Sequence, residues 1–194
     1  MLRRTVLAAT IAVGAAAAAG CDAITVRRDD EARELPDAAV NVDGTEVWDL
    51  RRRPTAGEVG LGADGETAVY ETRPARPAML RLPAGTDVRA PVRYIAFSAI
   101  TSEDGGPDSL VVKTATMSLD ETAGRYRAVL EQLGLPAAAA AGFHEAARAA
   151  RGTQDVETDR LSARLGDLDI GVVADYSPRA ETGTVRIGGR WTGE

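Results

Sequence analysis

One cysteine and one histidine are all that this chain of 194 residues carries of the side chains that bind zinc most often. With no second cysteine there is no intrachain disulfide, so the fold must rest on an ordinary core. A zinc site of the usual kind lacks ligands: His144-Glu145 opens like H-E-x-x-H, but Arg148 stands where the second histidine belongs. A Ser-His-Asp hydrolase would depend on His144, and no G-x-S-x-G accompanies it. Basic charge is also short. The formal net charge is −6, and it moves to −8 without residues 1 to 20, which hold two arginines and no acid. That balance argues against nucleic acid as a partner. Lys113 is the only lysine beside 22 arginines, a bias that points to GC-rich codons and not to a mechanism.

The chain has no apolar run of the roughly 20 residues that a spanning helix needs. It has a shorter one. Arg3 and Arg4 precede an uncharged, Ala-rich stretch from Thr5 to Gly20, and Cys21 follows directly. This is the order of an export signal: a basic start that stays on the cytoplasmic side, a short apolar core, then small residues. Ala18-Ala19-Gly20-Cys21 resembles the lipobox of bacterial lipoproteins, with alanine at a position where leucine is commonest. The resemblance covers only the first 21 residues. It implies diacylglyceryl attachment to the Cys21 thiol, cleavage before Cys21, and anchoring of the exported chain in the outer face of the cytoplasmic membrane by two or more acyl chains. Ala17-Ala18-Ala19 also suits an ordinary secretory peptidase, which would leave Cys21 a free thiol. Arg3-Arg4 permits either general or twin-arginine export.

Residues 21–44 read as a charged tether. Arg27-Arg28-Asp29-Asp30-Glu31 and Arg33-Glu34 alternate in sign with few large apolar side chains, too few to offset the ordering entropy. As a coil it would reach about 25 to 30 Å. A single domain then occupies 45–194, with its clearest signals in 93–192. In 45–91 only short strands near 66–73 and 78–83 are expected between the prolines.

Residues 94–100 and 110–117 read as two strands joined by the turn Asp104-Gly105-Gly106-Pro107-Asp108. Ser118 with Glu121 forms a capping box ahead of Leu119, Ala123, Tyr126, Val129, Leu130 and Leu133 at helical spacing, and Gly134-Leu135-Pro136 ends the helix. A second helix is expected over 137–151, and a third, shorter one near 158–165. Ile170, Val172, Ala174 and Tyr176, then Val185, Ile187 and Trp191, alternate with period two as a second hairpin. The order strand, strand, helices, strand, strand predicts an α+β fold, an antiparallel sheet with helices on one face. Arg186 and Arg190 fall on the other.

Chemical motifs are few. Gly60-Leu61-Gly62-Ala63-Asp64-Gly65 matches G-x-G-x-x-G, but Arg51-Arg52-Arg53-Pro54 precedes it and Pro74 and Pro77 follow, so the strand and helix of a dinucleotide site are missing. Glu103, Asp104 and Asp108 do not have calcium-loop spacing. Trp48 and the cluster Arg51, Arg52 and Arg53 are the candidate interaction residues, the arginines for anionic headgroups or polymer. Acids at Glu46, Asp49 and Glu58 flank the cluster and favour a solvated charged run. No cofactor is expected. The leading reading is a non-catalytic envelope lipoprotein that binds a partner protein or envelope component. Two alternatives are a carrier of an apolar ligand between sheet and helices, and a carboxylate-dependent hydrolase of envelope polymers.

Overall fold

A computed structural model describes residues 24–29, 35–62, 67–99, 106–150 and 154–192. Its architecture is the expected α+β arrangement: one mixed, mostly antiparallel ten-stranded sheet with two helices packed against it. The strands are β1 (Ile24–Asp29), β2 (Ala39–Val42), β3 (Thr45–Asp49), β4 (Thr67–Leu82), β5 (Thr86–Ser98), β6 (Ser109–Thr114), β7 (Val156–Glu157), β8 (Leu161–Leu165), β9 (Leu168–Ser177) and β10 (Thr182–Trp191). Helices α1 (Leu119–Gln132) and α2 (Ala139–Ala149) fall between β6 and β7. The main path runs β2-β3-β4-β5-β6-β10-β9-β7; β1 pairs with β4, and β8 with β9.

The stretch expected to be a tether contributes two strands. β1 lies parallel to β4 with Ile24 opposite Thr67, and β2 turns back on β3. The turn is Asp43-Gly44, with φ of 49° and 80°, and Asn41 Oδ1 accepts from Gly44 N at 3.0 Å. Both positions need positive φ, which Asp tolerates and Gly favours. Ala38 and Ala39 are buried, so the domain starts ahead of residue 45.

In place of two short strands, β4 is continuous past its prolines. The register slips between Glu71 and Arg76, and this bulge takes up Pro74 where the ladder is interrupted. Pro77 faces Pro91 on β5, whose carbonyl accepts from Ala115 N at 2.9 Å. The helix expected near 158–165 is instead β8. Leu161 and Ala163 lie opposite Val172 and Ile170, so the leucines serve a two-residue period.

The inner face is one continuous core with two different covers. Under β2–β5, Trp48 meets Tyr70 edge-on at 5.3 Å and Phe97 at 5.7 Å, and the irregular segment 50–62 closes over them with Leu50, Val59 and Leu61. Tyr70 Oη donates to Val59 O at 2.9 Å, which ties this cover to the sheet. Under β9 and β10 the cover is helical: Thr122, Ala123, Tyr126, Val129 and Leu130 of α1 are buried, and Tyr126 meets Phe143 of α2 at 6.0 Å. Each such fully buried large apolar side chain is worth about 1.5–3 kcal/mol. Helix α1 starts at the capping box, where Ser118 Oγ accepts from Glu121 N and Glu121 Oε2 from Ser118 N at 3.0 Å. It also covers the free edge of β5: Gln132 Oε1 accepts from Arg89 N at 2.7 Å, and Arg125 Nη1 donates to Arg89 O at 3.4 Å.

Candidate functional site

The four candidate interaction residues in the domain do not form one surface. Trp48 is fully buried in the core, so its large side chain serves packing. The three arginines after it point to three separate partners. Arg51 Nε donates to Asp49 Oδ1 at 2.9 Å, and Arg52 Nη1 to Glu58 Oε2 at 2.9 Å. The guanidinium hydrogen bonds hold the Asp49 and Glu58 carboxyls down at about 2, with the Thr55 N–H assisting at Glu58. Arg53 donates from Nε to Pro107 O and from Nη2 to Gly106 O, each at 3.0 Å, and its Nη2 lies 3.6 Å from Asp108 Oδ1. It pins the loop that enters β6. The basic cluster is thus neutralised or spent on backbone carbonyls. Cys21 lies outside the described residues.

The remaining motifs resolve in the same local way. Gly60 ends a 3-10 turn at Gly57–Val59, and the next element after the G-x-G-x-x-G stretch is β4, not a helix. His144 on α2 reaches Asp120 at the start of α1, Nε2 to Oδ1 2.7 Å, and so clamps the two helices; no serine or cysteine lines the depression around them. Asp108 belongs to the Arg53 contact, while Glu103 and Asp104 fall outside the described residues. Among the described residues, no three His, Cys, Asp or Glu side chains converge, and no helix is long and apolar enough to cross a membrane.

The outer face, turned away from the core, divides into two regions. Over β6–β10 it is mostly polar, and part of its charge is paired. Arg186 bonds Glu157 and lies 3.7 Å from Asp175, which accepts from Thr184 Oγ1 at 2.7 Å. Tyr94, Lys113 and Tyr176 complete a depression of about 370 Å³ around them. Arg160 lies across the facing Gly171 and Gly188 and donates to Gly188 O at 3.1 Å.

Over β2–β5 the outer face is an open groove of about 510 Å³ with mostly apolar walls. Register builds its floor. Val47 pairs with Met79 and Met79 with Arg89, while Val42 pairs with Thr45 and Pro77 with Pro91; Val40, opposite Val47, lies beyond the lining. Strand alternation puts these side chains opposite Trp48, Leu80 and Val88 of the core. Val40 and Val42 are 55% and 50% exposed, the most exposed large apolar side chains among the described residues. The cationic end is formed by Arg89 and, from α1, Arg125. Neither makes an ion pair among the described residues, and Arg125 Nε is buried without a hydrogen-bond partner. The one carboxylate lining the groove, Asp43, sits on the β2–β3 turn, three strands from β5.

Sequence reasoning did not single out these groove residues. One signal was available: Val40-Asn41-Val42-Asp43-Gly44-Thr45-Glu46-Val47 is a D-G turn between alternating strands, the strongest short-range mark of a hairpin. The approach of Arg125, by contrast, depends on how α1 docks, which no local pattern encodes. In comparisons with known proteins, no family model, no curated protein and no solved structure matches this chain.

Proposed function

We propose that this chain is a cell-envelope lipoprotein, exported and then acylated at Cys21, whose domain is a non-catalytic binding module that uses the outer groove of β2–β5. The observation that carries the reading is the groove itself: the exposed Val42, the largely buried Val47, Met79 and two prolines form an apolar surface beside two guanidinium groups that have no acid partner among the described residues. A concave, mostly apolar surface with a few convergent polar groups is the usual form of a ligand site. The space between sheet and helices is filled by Tyr126, Val129, Leu130, Val185 and Ile187, so an apolar ligand is better accommodated outside than in that layer.

The anchor is short on this reading. Cys21 lies three residues before Ile24 on β1, a span of about 10 Å at most. The domain therefore stays beside the lipid headgroups.

Two measurements test the proposal. Cys21→Ala should move the protein from the membrane fraction to the soluble fraction, and continued membrane retention contradicts acyl anchoring. A photoreactive side chain in place of Met79 should give a specific crosslinked adduct in living cells, whereas one in place of Val111, on the outer face of β6, should not. Absence of any adduct at Met79 would remove the groove from the proposal.

A further inference from the structure

We infer that the groove over β2–β5 binds an anionic lipid of the membrane, its acyl chain along the apolar rows and its phosphate or carboxylate head at Arg89 and Arg125. The inference rests on the proposed binding role of the groove and names its ligand class.

The argument begins with the direction of the groove. The row Val40, Val47, Met79, Arg89 crosses four strands, β2 to β5, with Val47 largely buried in its floor and Val40 just beyond the lining. At the usual strand spacing this is about 14 Å of surface. It is apolar for its first three positions and cationic at its last. Pro77 and Pro91 widen the same floor, and prolines expose no N–H to a ligand that could not bond it. The groove therefore has a polarity gradient along its length, and a single-headed amphiphile has the same gradient.

The charge at the cationic end is available. Arg51, Arg52, Arg93 and Arg186 each contact a carboxylate, whereas Arg89 and Arg125, like Arg160 and Arg164, have none among the described residues; what sets Arg89 and Arg125 apart is that both line the apolar groove. Arg125 spends Nη1 on Arg89 O and makes no other hydrogen bond among the described residues. A guanidinium presents paired donors in the geometry of phosphate or carboxylate oxygens, and such charge-assisted bonds are the stronger kind. Asp43 lies at the opposite end, where it opposes insertion of the head in the reverse direction. An extended peptide added to the free edge of β2 would use backbone bonds along β2 and would have no need of either arginine.

The chain supplies its own probes. It has three methionines, Met1, Met79 and Met117; Met79 lines the groove and Met117 does not. The full chain carrying Cys21→Ala, labelled at the methionine methyl groups, can be titrated with dodecyl phosphate below its micelle concentration and followed by NMR. The Met79 methyl should shift saturably and the Met117 methyl should not. Arg89→Gln, at an exposed site, should weaken the titration about tenfold or more. Dodecyltrimethylammonium and inorganic phosphate should leave Met79 unmoved, the first for its head and the second for want of a chain. An equal response to the cationic amphiphile, or an unchanged midpoint in Arg89→Gln, overturns the inference. If no amphiphile moves Met79 while the photoreactive side chain at that position captures a protein in cells, the lipid is wrong and the binding module stands.

Discussion

The two halves of the sheet share one core but differ on both faces. Under β2–β5 the cover is the irregular segment 50–62, and the outer surface is apolar with unpaired cations. Under β9 and β10 the cover is two helices, and the outer surface is mostly polar, with Arg186 paired to Glu157 and Arg160 laid over glycines. A polar face has less apolar area to offer a ligand, while a face with an apolar floor and guanidinium groups at its end has both area and charge to offer. The helical half reads as support and the hairpin half as the working surface.

The largest expected effect tests whether the hairpin half has a true core. Trp48→Ala should cost about 3–5 kcal/mol in denaturant unfolding, because it removes a fully buried ring that meets Tyr70 and Phe97. A loss below about 1 kcal/mol would place Trp48 outside the core and reopen it as an interface anchor. In the supporting half, Gly183→Ala should cost about 1–3 kcal/mol. Its Cβ would lie 2.4 Å from the Asp175 carbonyl oxygen, and backbone must move to admit it. Thermal unfolding unchanged from the parent would show that β9 and β10 are more loosely joined than their full register implies.

The arginine cluster gives a finer contrast. Arg53→Ala should destabilise by about 1–3 kcal/mol, since the Gly106 and Pro107 carbonyls lose their donors. Arg51→Ala should stay within about 0.5 kcal/mol, because its pair with Asp49 is exposed. Equal losses in the two variants would argue that the cluster acts as one unit.

The smallest effect is in pH. Asp49 and Glu58 have carboxyls lowered to about 2 from 3.8 and 4.5. Folding therefore favours their charged forms. The stability they add is present above about 4.5 and is lost as pH falls from there towards 2. The urea midpoint should fall over that window, and the Asp49→Asn, Glu58→Gln double variant should flatten the decline.

The supporting half was the more legible one in the sequence, for a physical reason. Its elements are encoded locally: the Ser118–Glu121 capping box opens α1, and Ile170 to Tyr176 alternates as a strand with one buried face. The exception was β8, because Leu161 and Leu165 satisfy a four-residue helical spacing as well as a two-residue one. In the hairpin half the decisive facts are non-local. Pro74 and Pro77 look like strand breakers until a bulge and an opposing Pro91 absorb them. Val40 and Val42 look like tether residues until β3 pairs with them. Arg89 and Arg125 are 36 positions apart in the chain and meet only because α1 docks on the β5 edge.

Hydrogen exchange on the acylated protein in native membrane vesicles, set against the purified Cys21→Ala protein, tests this division of roles most directly. Peptides covering 39–49 and 77–91 should exchange more slowly in the membrane preparation, with 168–177 and 182–191 unchanged. Slowing confined to β9 and β10, or none in either half, would contradict it.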